Sequence, residues 1–548
     1  KINRKKMVPV NLIECSKRFH YCNIMFILLM ISFFNTYGNQ KINDKCPLIP
    51  SPKKSERVLS VFEITNNTAI KFDQKFTDQA YYLQKQLLKY NQVTLSLNPT
   101  AFKTQIVLKQ NSAAKNKEVY SIKMNSKEIL IEAADNHGMF NGITSVIQMA
   151  RLCESRNGKI SMECWDIEDE PKYEWRGIML DESRHFFGIT KVKQLIDWMA
   201  FFKFNRFHWH LTDQPGWRVE IKQYPLLATI GGIGNHTDPF SAAKFYTQEG
   251  IKEVVQYAKE RFIEIIPEID MPGHAGAANK AYPEFSGGGS DKFPEFTFNP
   301  GNVNVYNYLT HILKEIDCLF PSQIIHIGGD EIHYGNEKWK SNQGVMELMR
   351  ANKFSNLKEV ESYFFRRISD SLLCMNNRVA AWDEVADYDI SNKKTIVFYW
   401  RDDKPEQLQK ALNKGFPIVL CPRHPMYFDY VQDTLQVHGP NWRIFSYNSW
   451  EKVYQFSLND IKVTYPENAE ILGIQANVWT ERIATEQRLD YMIFPRIAAL
   501  SETAWSNDEN KDISNFKIRL KSQFKLFEED GIYYLDPFTP AKTGEPVR

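Results

Sequence analysis

From Arg176 onward the chain repeats one pattern: a short apolar run, a polar or glycine-rich loop, then a stretch with helical spacing. Runs at 177–180, 206–211, 262–269, 324–327, 379–382, 396–400, 418–421 and 471–478 read as buried strands. Between them 190–202, 247–261, 303–319 and a long stretch through Leu373 have helical periodicity, with Thr190 predicted as an N-cap and a last helix over 489–505. Strands that alternate with helices pair in parallel, because each crossover returns the chain to the same end. Eight such runs over about 330 residues predict an α/β fold, a closed (β/α)8 TIM barrel. The alternative is an open doubly wound sheet, but no G-x-G-x-x-G follows the first strand.

Ahead of the barrel, residues 47–168 form a smaller α+β block, with strands expected at 58–62 and 129–131 and helices at 80–88 and 142–151. The acidic, proline-containing stretch 166–171 marks the boundary. The barrel then occupies 172–548, including a C-terminal helical extension. Residues 1–40 read as a signal peptide or signal anchor: the apolar run 24–34 follows Lys17 and Arg18 and is short of the roughly 20 residues that span a bilayer. No 18-residue apolar stretch occurs elsewhere, so the mature chain is expected to be exported and not membrane-embedded.

Hydrophobic residues at 43% of 548 supply a large core and exclude general disorder. Lys and Arg total 68 against 66 Asp and Glu, so charge-led binding of nucleic acid is not supported. Cysteines show neither C-x-x-C nor zinc spacing; with Cys15 and Cys22 in the expected signal, Cys153 and Cys164 are the nearest of the remaining six in sequence for a disulfide after export. Asn66-Asn67-Thr68 and Asn235-His236-Thr237 are glycosylation sequons, meaningful in a eukaryotic secretory pathway.

The chemistry-bearing residues gather where a barrel places its site. His208, His210, Asp213, His274, Asp330, Glu331, Trp382, Trp400 and Trp479 fall at or just after the carboxyl ends of expected strands, where the loops converge over one mouth. The sharpest segment is Ile324-Ile325-His326-Ile327-Gly328-Gly329-Asp330-Glu331: a buried strand, two glycines that let backbone approach a ligand, then two adjacent carboxyls. Neighbouring acids in a secluded site oppose joint ionisation, so one of them is expected to hold a proton near neutral pH, as a general acid requires.

Several of these segments resemble, in order, the motifs of the family 20 glycoside hydrolases, the β-N-acetylhexosaminidases. They are Arg176-Gly177-Ile178-Met179-Leu180-Asp181-Glu182-Ser183-Arg184-His185, His208-Trp209-His210-Leu211-Thr212-Asp213, Glu268-Ile269-Asp270-Met271-Pro272-Gly273-His274 and His326 to Glu331. The likeness continues through Ala381-Trp382-Asp383-Glu384, Tyr427-Phe428-Asp429 and Asn477-Val478-Trp479-Thr480-Glu481, and covers roughly residues 47 to 510. The resemblance implies exo-hydrolysis of terminal β-linked N-acetylglucosamine or N-acetylgalactosamine, with retention, through an oxazolinium ion formed by the substrate's own acetamido group. It makes Glu331 the general acid/base and Asp330 the residue that orients the acetamido group. Asp213 and His274 become a relay behind the acid. Arg176, Asp429 and Glu481 bind sugar hydroxyls, Trp382, Trp400 and Trp479 wall the pocket, and Tyr427 bonds the acetamido carbonyl. The loop Asp213-Gln214-Pro215-Gly216-Trp217 departs from the two consecutive acids common in relatives. No metal or organic cofactor is implied, the partner is a carbohydrate, and both monomers and homodimers occur among such proteins.

Two rival readings stand beside this one. His208-x-His210 and His274 would suit a metal-dependent hydrolase, though further ligands do not stand out. A carbohydrate-binding protein without catalysis would keep the tryptophans but tolerate a broken acid pair, whereas both acids are present.

Overall fold

A computed structural model describes residues 45–113, 116–156, 158–439 and 447–547. The chain divides into Lys1–Cys46 and a compact unit, Pro47–Arg548, which contains every element considered below. The apolar run 24–34 lies outside the described residues.

The eight apolar runs close into a parallel barrel. Its strands are β1 (Trp175–Asp181), β2 (Arg206–His210), β3 (Glu264–Glu268), β4 (Ile324–His326), β5 (Arg378–Trp382), β6 (Thr395–Tyr399), β7 (Ile418–Leu420) and β8 (Ile471–Val478). Each pairs with its sequence neighbours and β8 returns to β1. β1 and β6 are buried at every position, as a strand covered by helices outside and barrel filling inside must be.

The helices differ from the sequence expectation where local chemistry breaks them. The first begins at Ile189 after Gly188, whose φ of 87° ends the preceding loop, so Thr190 lies inside the helix and is not its cap. The stretch through Leu373 is not one helix. Gln343–Asn352 stops at left-handed Lys353 (φ 57°), and Leu357–Cys374 starts afresh from a capping box of Asn356 and Glu359. The expected 489–505 helix splits into Glu486–Ile493 and Arg496–Trp505, because Pro495 lacks the N–H that would continue it. Only a 3-10 turn, Asp383–Asp387, stands between β5 and β6 among the described residues.

Residues 54–169 form a mixed sheet, spatially ordered Lys54–Ile64, Lys159–Asp169, Tyr120–Met124, Glu128–Ala133, Thr104–Gln110, Thr68–Phe72 and Ser96–Leu97. The stretch expected as a linker is strand as far as Asp169. Helix Asn136–Leu152, capped by Asp135, is buried from Gly138 to Arg151 because sheet lies on one side and barrel on the other. Its Gln148 Nε2 donates to Phe201 O at 2.6 Å, and Lys203 Nζ reaches Asp169 Oδ2 at 3.2 Å, tying the two layers with buried polar bonds. Cys153 and Cys164 are free thiols.

Candidate active site

The site is assembled by the carboxyl ends of the barrel strands. Beyond β4 the backbone turns through Gly328 (φ 65°) and Gly329 (φ 100°), a region closed to most side chains. A Cβ on Gly328 would lie 1.7 Å from Asp270 Oδ1, and one on Gly329 would lie 2.5 Å from the Phe365 ring. These glycines let the strand end lie flat on its neighbours and deliver Asp330 and Glu331 to the mouth. Glu331 itself is left-handed (φ 53°), as is His274 (φ 53°), so both residues sit in conformations that only the surrounding packing sustains.

Asp213 stands on a short hairpin in which Thr212–Asp213 pairs with Gly216–Trp217, and is buried. Its Oδ1 lies 3.0 Å from His274 Nδ1 and its Oδ2 lies 2.7 Å from Arg184 Nη2. His274 Nε2 in turn faces Asp330 Oδ2 at 3.5 Å and Glu331 Oε2 at 3.6 Å. Burial alone would strip the His274 proton, but the surrounding carboxylates of Asp213, Asp330 and Asp270 raise its pKa well above the ordinary histidine value. Burial and the neighbouring Glu331 push Asp330 up to about 6, against the pull of His274. Glu331 is shifted the other way. Burial would raise it, but the bond and charge of His274, with Arg184, hold it below the usual carboxylate value.

Around the pair lies a pocket of about 480 Å³ lined by Arg184, Trp382, Trp400, Tyr427, Asp429, Trp479 and Glu481. Trp400 and Tyr427 are near-parallel (12°, centroids 6.3 Å apart), and Trp382 meets Trp479 at 5.8 Å. Flat faces of this kind match the apolar faces of a sugar ring. Asp330 Oδ1 and Asp429 Oδ1 are buried and accept no hydrogen bond, so both are aimed at donors that only a ligand or water would bring. Burial and Glu481 raise Asp429 well above the ordinary carboxylate range.

Ten of the eleven residues singled out for the site therefore converge here: Asp213, His274, Asp330 and Glu331 in one chain of contacts, with Trp382, Trp400, Tyr427, Asp429, Trp479 and Glu481 around the pocket. Arg176 does not. As the second residue of β1 it lies at the opposite, amino-terminal end of the barrel, buried, with its guanidinium on Glu118 and its Nε donating to Lys203 O at 2.9 Å. Two guanidinium groups line the pocket, Arg423 and Arg184; Arg184, eight residues after Arg176 and just past the β1 carboxyl end, lies 3.6 Å from Glu481 and 5.0 Å from the Trp479 ring centre. The strand-end argument applied to the other residues would have selected Arg184 as well.

A larger groove of about 1210 Å³ opens at that amino-terminal end, between the sheet layer and the barrel, lined by Tyr82, His137, Phe262 and Glu118 among others. It has no adjacent acid pair and lies where barrel enzymes keep stability rather than chemistry. Among the described residues, three groups of imidazole and carboxylate could geometrically share an ion: His208, Glu268 and His326; His210, Asp213 and Asp270; Asp270, His274 and Asp330. In the first, His208 Nε2 and His326 Nδ1 each lie 3.0 Å from a Glu268 oxygen, and His326 Nδ1 accepts from the Gly328 N–H at 3.1 Å.

A closed (β/α)8 barrel with paired carboxyls and an aromatic-walled pocket at its carboxyl-terminal mouth defines a glycoside-hydrolase type of site. The model for the glycosyl hydrolase family 20 catalytic domain matches residues 173–508, and that for domain 2 of the same family matches residues 45–170. The chain belongs to glycoside hydrolase family 20. A β-hexosaminidase of Porphyromonas gingivalis is 33% identical over 432 residues, 77% of this chain and 55% of that protein, so the chain spans about half that relative's length. One from Vibrio furnissii is 32% identical over 83% of this chain and 76% of its own. Among solved structures, the family 20 exo-β-N-acetylglucosaminidase of Vibrio harveyi, in complex with N-acetylglucosamine, superposes with a TM-score of 0.82 at 31% identity, covering 90% of this chain and 79% of that one.

Proposed function

We propose that this chain removes terminal, non-reducing β-linked N-acetylglucosamine from glycans or chitooligosaccharides, with N-acetylgalactosamine as a second candidate sugar. The observation that carries the reading is the juxtaposition of Asp330 and Glu331 with the Asp213–His274 pair in a pocket walled by Trp382, Trp400, Trp479 and Tyr427. The sugar complex of the Vibrio harveyi relative supports the same substrate class. Arg184, Asp429 and Glu481 bind hydroxyls of the terminal ring, Arg184 through a planar fork of donors.

In this mechanism the substrate's acetamido carbonyl oxygen attacks its own anomeric carbon while Glu331 gives its proton to the departing glycosidic oxygen. An internal nucleophile has a high effective concentration, which is why no protein nucleophile is needed. Tyr427 donates to the acetamido oxygen. Asp330 accepts from the acetamido N–H and offsets the positive charge that grows on that nitrogen. A water then gives a proton to Glu331, and its oxygen opens the oxazolinium ion on the original leaving face, with net retention. Export of the chain is part of the proposal; no described helix is long and apolar enough to cross a membrane.

The test is turnover of nitrophenyl β-N-acetylglucosaminide beside the β-glucoside and the galacto epimer, with Glu331→Gln as control. Hydrolysis confined to acetamido sugars and reduced at least about 10²-fold in Glu331→Gln is expected. Equal turnover of the glucoside would refute substrate assistance.

A further inference from the structure

The interior of a (β/α)8 barrel is ordinarily filled with branched apolar side chains. Here the layer beneath the pocket holds a carboxylate and three imidazoles. Glu268, at the end of β3, is fully buried and meets His208 and His210 from β2, His326 from β4 and the Trp382 indole from β5. His208 and His210 share the inward face because they are two apart on a strand. Such a group is costly to bury, and perturbed buried clusters of this kind concentrate at functional sites.

The contacts form one line into the pocket. Glu268 Oε2 lies 2.5 Å from His210 Nδ1, and His210 Nε2 lies 3.0 Å from Asp213 Oδ2. Asp213 Oδ1 then meets His274 Nδ1 at 3.0 Å, and His274 faces the acid pair. Glu268 Oε1 also accepts from Trp382 Nε1 at 2.9 Å, so one carboxylate touches both the proton line and a wall of the sugar pocket.

We propose that Glu268 and His210 are positioning residues of the acid/base machinery: Glu268 fixes the His210 ring with Nδ1–H inward and Nε2–H on Asp213, and simultaneously anchors Trp382. The inference rests on the reading of Glu331 as acid/base. The charges along the line alternate. Against burial, Glu268 and Asp213 raise His210 well above the ordinary histidine value, and His210, His326 and His208 hold Glu268 well below the carboxylate value. The other groups facing the line include Asp181 and the Trp479 ring beside His210, Arg184 on Asp213, and the buried Asp270 close to His210, Asp213 and His274. Burial drives His208 down to about 4, so it contributes a neutral ring. With Glu268 neutralised, His210 loses its proton, and the acid pair then loses a nearby positive charge. Its own proton therefore leaves at higher pH.

The experiment compares full-length parent, Glu268→Gln, His210→Asn, the double variant and Glu268→Asp, in kcat and KM across pH with nitrophenyl β-N-acetylglucosaminide. Each single variant is expected to lose about tenfold in kcat, a fraction of what general acid–base catalysis supplies. Each should also move the alkaline limb of kcat/KM upward. The double variant should be no worse than the poorer single, because both break one line, and Glu268→Asp should recover part of the loss. Unchanged limbs in variants with parental near-ultraviolet circular dichroism, or losses that multiply, would overturn the proposal. A readout independent of turnover is the nitrogen NMR signature of the labelled histidines. Two-proton rings at His210 and His274 at neutral pH are expected in the parent, with His210 neutral in Glu268→Gln; a neutral His210 in the parent would overturn the proposal even if the enzyme reading holds. A fully active Glu331→Gln would instead remove the acid assignment and leave the His210 signature to decide the buried line.

Discussion

Of the two adjacent carboxyls it is Asp330, not Glu331, that is shifted towards holding its proton. Asp330 is pushed up to about 6 while His274 and Arg184 hold Glu331 down. Adjacent interacting carboxyls titrate as a unit, so in the proposed mechanism the productive form is the pair with one proton, held on Glu331 once an acetamido N–H occupies Asp330. Above the pair's pKa that proton is gone. The expected outcome is that kcat/KM falls as pH rises through about 6. In Asp330→Asn the like charge is absent and His274 still pulls, so the limb should move to lower pH, with kcat down about 10²-fold. A limb fixed at its parental position in that variant would contradict the shared proton. The two arginines give a second contrast at this scale. Arg184→Lys loses the planar fork and should raise KM about tenfold. Arg176→Met should leave KM alone and lower stability by about 3–5 kcal/mol in urea unfolding, since it strands a buried partner, Glu118. Glu118 is itself held down to about 2, against burial, by Arg176 and His137. Its folded-state pKa is thus depressed, and its stabilisation is complete above the unfolded carboxylate value of about 4.5 and lost as pH falls towards about 2.

Among elements, the end of β4 is the most constrained. Its two glycines were legible as close-approach residues, and the contacts they make room for are Asp270 and Phe365. Gly329→Ala would place a methyl 2.5 Å from the Phe365 ring in a backbone conformation (φ 100°) that alanine avoids. It is expected to cost about 1–3 kcal/mol and to lower kcat more than it raises KM, because Glu331 two residues on is displaced. Unaltered kcat with the expected loss of stability would separate the turn from the chemistry. The helices were less legible than the strands. Periodicity ran through Pro495 and through the Lys353–Asn356 break, because an amphipathic pattern persists where caps and a missing N–H interrupt the backbone.

At the scale of the whole molecule, the sheet layer and the barrel share buried polar contacts. Asp169 accepts from Tyr120 OH at 2.5 Å and Trp505 Nε1 at 2.9 Å, and pairs with Lys203 at 3.2 Å. Lys203 is fully buried, so losing Asp169 removes the carboxylate opposite its charge. Asp169→Ala is expected to cost about 3–5 kcal/mol and to destabilise both layers in one transition. Two separate transitions in the parent, by tryptophan fluorescence and circular dichroism together, would show the layers to be independent.

The strand runs, the acid pair and the tryptophans of the pocket could be read along the chain because each follows from local pattern: an apolar run ends, the loop begins, and barrel geometry places that junction at the mouth; Tyr427, Asp429 and Glu481 were legible only through the family resemblance. Arg176 and Arg184 occur in one motif, and only their positions on β1, at opposite ends of the barrel, separate a buried structural pair from a pocket residue. The raised pKa of Asp330, and the contacts from Glu268 through His210 to Asp213, likewise arise only in the tertiary fold. His210 ends β2, Glu268 ends β3, and His274 and Asp330 lie in the loops after β3 and β4. Their distances, burial and mutual charges, which fix where protons reside, exist only once the barrel closes.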